Sequence, residues 1–591
     1  MEFVGLNPER VGLLIKQMES GKNVLGQTRP GLETDIADAG PDWAGGQGVT
    51  AMHRAWHFFH DAQRDLKWRI DTISRMHNGP SGNGQWLTAQ FSFASEAAAT
   101  QAGKDAAAAI MQPLSDPATA DLPQTWQKVE AAMRAAKDKI HDPAFAAALI
   151  SAIGPAGLDD LFRRWRDANA VGRKRGVPPE ELKRGTSTFG VLANALANAD
   201  TAGRLDDRSR KALVDAVELD ALTALTALAK QSTTLLNQVA KRVLNTPRSG
   251  APPDFSDADW NLQALINAYA ANPEALQQLL AEDKTAAAAL LHPNRVKLNG
   301  LPPEFEKQLA GVLDKALRPS TGDSGTRARA WFNLVNGLGY DGSHGTGGHF
   351  DALRNSPINQ VLARNVLPYI SQLGLVHARE ASVNLDKHLT PQPPWDKLRP
   401  DVASRFIGAI MQDSAARKIL LDELPKYGWG LDIGRFHPFS DRATERAEYT
   451  RLSARLGGVS SLLLGGLSYA RLSRKEYAEW AASIALLPVS YAVNAWGDMA
   501  DAAAATARDV GLDAAKEAVA ERIAEFLAGD GPQDVKELAK LLVNQQVLIV
   551  AASLELHDQP LLTAEDRERI FREFYGSLAD PLIKALDEYG G

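Results

Sequence analysis

The sequence predicts an all-α protein: an N-terminal two-helix antiparallel hairpin followed by multi-lobed helical bundles, with little or no β-sheet. Three observations predict this fold class. Apolar residues recur at heptad spacing in two N-terminal segments. Helix-starting pairs such as Asp-Pro, Asn-Pro and Ser-Pro recur along the rest of the chain. Alternating runs of β-branched residues are nearly absent.

Composition limits the classes of function. The chain has 591 residues, which is too many for one core, and its net charge of −7 gives no general reason to expect nucleic acid as a partner. It has no cysteine, so disulfides, thiolate metal sites and cysteine nucleophiles are excluded. The N-terminus shows no classical signal peptide.

The first helix is expected to begin at Asn7, a good N-cap, with Pro8 in the first helical position, where a missing amide costs little. Its apolar residues repeat every seven positions, at Val11, Met18, Leu25 and Leu32. Pro30-Gly31 interrupts this pattern and predicts a kink or a break.

The second helix is expected from about Val49 to Met76, ending before Asn78-Gly79-Pro80. Apolar residues in it are spaced alternately by three and four positions, which predicts a seam along the first helix. We expect the hairpin to bind a partner through these residues and the turn: Trp43, Gly45, Val49, Met52, Trp56, Phe59, Leu66 and Ile70. Two helices have only one seam, so large side chains such as Trp56 and Phe59 need further cover.

The two heptad segments are joined by the Gly/Pro-rich residues 40–46, which include Trp43-Ala44-Gly45. With this motif in the turn, residues 1–78 resemble the WXG-type helical hairpins exported by type VII secretion systems of actinobacteria. The resemblance implies secretion through that system and a four-helix bundle, formed with a WXG-type hairpin partner or with a second copy. Trp43 would then fix the hairpin turn.

One feature of that family is missing. Its export signal is Tyr-x-x-x-Asp/Glu just beyond the second helix, but the first tyrosine here is Tyr269, and no tyrosine has an acidic residue four positions later. Either a partner supplies the signal, or the protein stays in the cytoplasm.

The remaining chain divides by composition into a linker or connecting helix at 79–124, a helical body at 125–330, a second body with a Gly/His-rich loop at 331–440, and a C-terminal lobe at 441–591. Helices are expected at 144–153, 274–280, 358–373 and 564–575. Residues 142–162 and 355–373 resemble segments of large helical proteins found beside type VII secretion genes in filamentous actinobacteria.

Candidate metal ligands occur in the Gly-rich segment 339–351, where Asp341, His344, His349 and Asp351 are suited to zinc or a similar ion. A flexible loop is the alternative, because the segment matches no P-loop or dinucleotide motif. On the second helix, His53, His57 and His60 recur at i, i+4 and i+7. Adjacent pairs could hold a metal ion, but the outer two are about 10 Å apart along the axis, so the three cannot share one ion. We interpret them as solvated or packing residues.

A basic stretch from Arg163 to Arg184 surrounds Trp165, and interspersed carboxylates favour a solvated face over a binding surface. No catalytic residue or cofactor-binding motif is found, so we expect a non-enzymatic protein that acts through helix–helix contacts. The resemblance implies that it is a secreted substrate or an accessory protein of a type VII secretion system.

Three alternatives remain. The hydrophobic segments at 459–467 and 481–496 could insert in a membrane as a pore-forming toxin, although the second is short and contains Pro488. The loop at 339–351 could serve a metal-dependent enzyme. The protein could also be a self-assembling structural protein.

Overall fold

The structure is a computed structural model that describes residues 2–40, 46–76, 86–120, 122–168, 189–245, 257–291, 304–339, 356–381, 390–424, 455, 458–470, 472–485, 520, 521 and 524. The chain forms two compact units, Met1–Ala275 and Leu276–Gly591. The segment boundaries expected near residues 78, 124, 330 and 440 fall inside these units.

The first unit contains two strands and ten helices in the described part of the chain. They are β1 (Glu2–Leu6), α1 (Pro8–Ala39), α2 (Gly46–Met76), β2 (Leu87–Phe91), α3 (Glu96–Met111), α4 (Pro123–Ala136), α5 (Pro143–Ala168), α6 (Phe189–Thr201), α7 (Asp207–Ala216), α8 (Leu219–Ala227), α9 (Thr233–Asn245) and α10 (Asp257–Ala271).

Helix α11 (Pro273–Glu282) crosses the division between the units. The described helices that follow are α12 (Ala286–Leu291), α13 (Glu304–Leu317), α14 (Ser324–Gly339), α15 (Pro357–Val366), α16 (Ile370–Ala381), α17 (Pro400–Met411), α18 (Ser414–Glu423), α19 (Gly458–Tyr469) and α20 (Arg474–Ala485). The predicted all-α fold class is confirmed.

Several predicted helix ends are found where the sequence places them. The side chain of Asn7 accepts a hydrogen bond from the amide of Arg10 at 3.1 Å, and α1 begins at Pro8. Of the kink or break predicted at Pro30-Gly31, the break is absent, since α1 continues through Pro30 to Ala39. Pro30 is exposed, so water can bind the carbonyl that loses its backbone donor. The helix expected at 358–373 is instead two helices joined by a 3₁₀ turn at Leu367–Tyr369.

The short antiparallel sheet of β1 and β2 was not predicted from sequence. Its register pairs Glu2 with Phe91 and Leu6 with Leu87. The sheet joins the residues just before α1 to the residues after α2, so it ties both ends of the N-terminal helix pair together.

Helix α3 lies in the segment expected as a linker or connecting helix, and it is a core helix. Ala99, Ala107 and Ile110 are buried, and Gly103 lies directly against the backbone of α5. Small side chains allow this close approach of the two helices. The alanine-rich composition therefore indicates tight packing here.

Two apolar segments are buried inside the units. Helix α19 is almost entirely enclosed, with Val459, Leu462 and Leu463 fully buried. In the first unit, α5 is the one described helix long and apolar enough to cross a bilayer, and more than half of it is buried. Gly154 lies outside helical geometry, with φ of 67°, and divides α5 into two shorter helices. Packing in the cores of the two units therefore explains the apolar composition of α19 and α5.

Candidate functional site: the N-terminal helix pair

Helices α1 and α2 pack antiparallel along the predicted seam. Gly21 of α1 lies against the Phe59 ring and Gly26 lies against the Trp56 indole, within 3.8 Å of where a Cβ would stand. Lys22 Nζ also donates a hydrogen bond to Gln63 Oε1 at 3.1 Å. Residues later in α1 therefore lie opposite residues earlier in α2, so the two helices run antiparallel.

The predicted partner-binding residues of α2 are only half-buried. Those that the structure describes are Val49, Met52, Trp56, Phe59, Leu66 and Ile70. Trp43 and Gly45 lie outside the described residues. Trp56 and Phe59 contact α1, which covers part of their apolar surface, and all six described residues remain partly accessible to water.

Four apolar side chains of the helix pair are exposed beyond the seam. The exposed fraction is 57% for Leu13, 44% for Leu14, 60% for Val24 and 67% for Phe58. Leu13 and Val24 are separated by about three helical turns, so they share the side of α1 that faces away from α2. Sequence analysis missed these four residues because they lie off the heptad pattern. The usable signal was a large apolar residue at a position where the pattern predicts a polar one.

The other end of the helix pair is fixed to the body of the first unit. Trp68 and Ile73 are fully buried, and Trp68 Nε1 donates a hydrogen bond to Asp142 Oδ2 at 2.9 Å. Asp142 also caps the start of α5, because its Oδ1 accepts hydrogen bonds from the amides of Ala144 and Phe145 at 2.9 and 3.1 Å. One carboxylate therefore links α2 to α5.

A second polar link lies beside the first. Arg64 of α2 and Arg204 both form ion pairs with Glu96, which is buried at the start of α3. The Arg69 guanidinium lies over the rings of Trp68 and Phe91, 5.5 and 5.7 Å from their centres. The base of the helix pair is thus held by paired charges and buried aromatic rings.

Burial raises the pKa of Asp142 above its ordinary value of 3.8, even though its three hydrogen bonds and nearby Arg204 act in the opposite direction. The group is thus a desolvated carboxylate at a structural junction. Its two backbone bonds and its bond to Trp68 identify it as an N-cap and anchor rather than as a free acid or base.

Two of the three histidines of α2, His57 and His60, contact the Trp56 indole. His60 stacks on the indole, with ring centres 5.2 Å apart and planes within 5° of parallel. His53 and His57 are exposed, and their ring centres are 4.6 Å apart. Across the described part of the chain, no group of three or more His, Cys, Asp or Glu side chains is arranged to hold a metal ion.

The other sequence candidates are placed as follows. Asp341, His344, His349 and Asp351 lie outside the described residues. In the basic stretch, Arg163 and Arg164 both pair with Asp160, and Arg166 pairs with Asp220. These three arginines are therefore compensated by local carboxylates, which agrees with a solvated, ion-paired face.

One serine and histidine pair in the second unit resembles part of a catalytic arrangement. Ser404 Oγ lies 3.0 Å from His377 Nε2, which is also 3.1 Å from the carbonyl oxygen of Pro400. Ser404 is fully buried, and the same ring nitrogen faces both oxygens. The arrangement joins α16 to α17 and gives a substrate no access to the hydroxyl.

Comparison with known proteins finds no family whose sequence model matches this chain and no curated protein that matches it.

Proposed function

We propose that this protein acts without catalysis, as a substrate or accessory protein of a type VII secretion system, and that its N-terminal helix pair binds another helical hairpin. The observation that carries the proposal is the pair itself: an antiparallel two-helix seam that stays half-buried, with Leu13, Val24 and Phe58 exposed outside it. Exposed apolar side chains on a helical surface favour burial against a partner.

The anchored base supports the same role. Trp68 and Ile73 hold one end of α2 in the first unit, while every described residue of α2 before Trp68 is at least partly exposed. The part of α2 before Trp68 is therefore exposed on a helix whose other end is fixed. A partner that binds there loses little conformational entropy, compared with binding to a disordered segment.

Export is tested by comparing the cell pellet and the culture supernatant of the producing strain with those of a strain that lacks its type VII ATPase. We expect the protein in the supernatant of the first strain and its loss from the supernatant of the second. Retention in the pellet of both strains would refute export and leave an intracellular binding module.

Binding by the helix pair is tested with Val24→Glu and Phe58→Glu in the full chain. Both side chains are exposed, so the fold should tolerate a charge, while a buried interface should not. We expect at least a tenfold loss of affinity for the partner hairpin, or for a second copy in light-scattering measurements. Leu122→Glu is a matched control, because Leu122 is 48% exposed but lies outside the helix pair. Equal effects of all three variants would contradict the proposed surface.

The same light-scattering measurement separates the self-assembly alternative, which requires large oligomers. The pore-forming alternative requires α19 to leave the core in which it is buried. Dye leakage from anionic liposomes would support that alternative.

A further inference from the structure

We propose that His53 and His57 form a two-ligand site for a divalent transition-metal ion, such as Zn²⁺ or Cu²⁺, on the exposed side of α2. The two residues are four positions apart on one helix, so their side chains lie on the same face, one turn apart. Neutral imidazole nitrogen is a preferred ligand for these ions.

The distance between the rings fits one shared ion. Metal–nitrogen bonds of about 2.0–2.1 Å, meeting at an angle of roughly 90–110°, place the centres of two imidazole rings roughly 4.5–5.3 Å apart. The ring centres of His53 and His57 are 4.6 Å apart. The spacing of the two rings is therefore compatible with one shared ion.

Exposure distinguishes this pair from the third histidine. His53 and His57 are both exposed, so water can fill the remaining coordination positions. His60 is half-buried and its ring is stacked face to face on Trp56. The stacking restricts rotation of the His60 ring toward His57, which favours the pair of His53 and His57 over the pair of His57 and His60.

The site differs from a structural zinc site, which has four protein ligands. Two ligands from the protein leave the ion open to water or to a further donor, so the affinity should be moderate and the binding reversible. The site does not depend on the proposed role in secretion.

The test is a titration of the full chain with Zn²⁺ by calorimetry, and with Cu²⁺ by electron paramagnetic resonance, which reports the nitrogen ligands of the ion. Both are performed in the His344→Gln/His349→Gln background, so that the two histidines among the other candidate ligands are removed. We expect one equivalent of metal, two nitrogen ligands, and at least a tenfold higher Kd when either His53→Gln or His57→Gln is added.

The matched control is His60→Gln, for which we expect a Kd within twofold of the parent. The absence of saturable binding in the parent would overturn the proposal. Binding unchanged by His53→Gln or His57→Gln would also overturn it. A loss of affinity in His60→Gln as large as in His53→Gln would show that the assignment of ligands is wrong.

Discussion

The buried side chain of Asp142 holds two helices in place. Its carboxylate accepts two amide hydrogen bonds that start α5 and one indole hydrogen bond that fixes α2. The same burial that strengthens these bonds disfavours the charge, and the pKa of Asp142 is raised as a result. Its contribution to stability must therefore depend on pH.

The direction of that dependence follows from proton linkage. A carboxyl with a raised pKa binds its proton more tightly in the folded state, so its stabilising contribution is full below about pH 3.8 and is lost as the pH rises through the raised pKa.

Asp142→Asn keeps an N-cap oxygen but does not titrate. We expect wild type to lose stability relative to Asp142→Asn as the pH rises above the ordinary carboxyl pKa of 3.8 and through the raised pKa of Asp142, measured as the free energy of unfolding in urea. A difference that is constant with pH would contradict this. Asp138→Asn, at an exposed position, serves as the control.

At the scale of the element, the attachment of α2 can be tested through Trp68. Trp68→Phe removes the indole donor to Asp142 and leaves space in the core. Losing a hydrogen bond to a charged group costs about 1.5–3 kcal/mol. We expect amide hydrogen exchange across residues 64–76 to become roughly tenfold to a hundredfold faster. Trp86→Phe is the control, because Trp86 is 63% exposed and its replacement should leave exchange there unchanged. Equal protection in both variants would show that Trp68 does not anchor α2.

The elements also show which parts of the structure could be predicted from the sequence. Local signals were sufficient for helix starts and ends: Asn7 and Pro8 begin α1, Asp142 begins α5, and α2 ends at Met76 before Asn78-Gly79-Pro80. The heptad spacing also predicted the seam between α1 and α2. These features depend on residues close in sequence, and such signals are the most readable.

Features that depend on distant residues were missed. Each strand of the sheet has five residues, and β1 is stable only because β2 pairs with it from more than eighty positions away. The link between Trp68 and Asp142 likewise spans 74 positions. In the candidate site, Val24 and Phe58 could have been noticed as large apolar residues off the heptad pattern, but that they are exposed follows from packing and not from local sequence.

At the scale of the whole molecule, each unit has its own buried core, with Trp165 in the first unit and Trp331 in the second both fully enclosed. In both units, glycine allows two helices to pack closely. Gly103 of α3 meets α5, and Gly408 of α17 meets Gly466 of α19. Each core can therefore be perturbed separately by adding a single methyl group.

We expect calorimetry of the full chain to show two unfolding transitions, each moved by a variant in its own unit. In Gly103→Ala the new Cβ would lie 2.8 Å from Ala148 Cβ, and in Gly408→Ala it would lie 2.8 Å from the carbonyl oxygen of Gly466. Overpacking of this kind costs about 1–3 kcal/mol, which lowers the midpoint of a unit of this size by roughly 2–10 °C. Gly12→Ala is the control: its Cβ would meet no atom within 4 Å, and alanine favours the helix, so neither midpoint should fall. One transition that both core variants lower equally would show that the two cores unfold together as one cooperative unit.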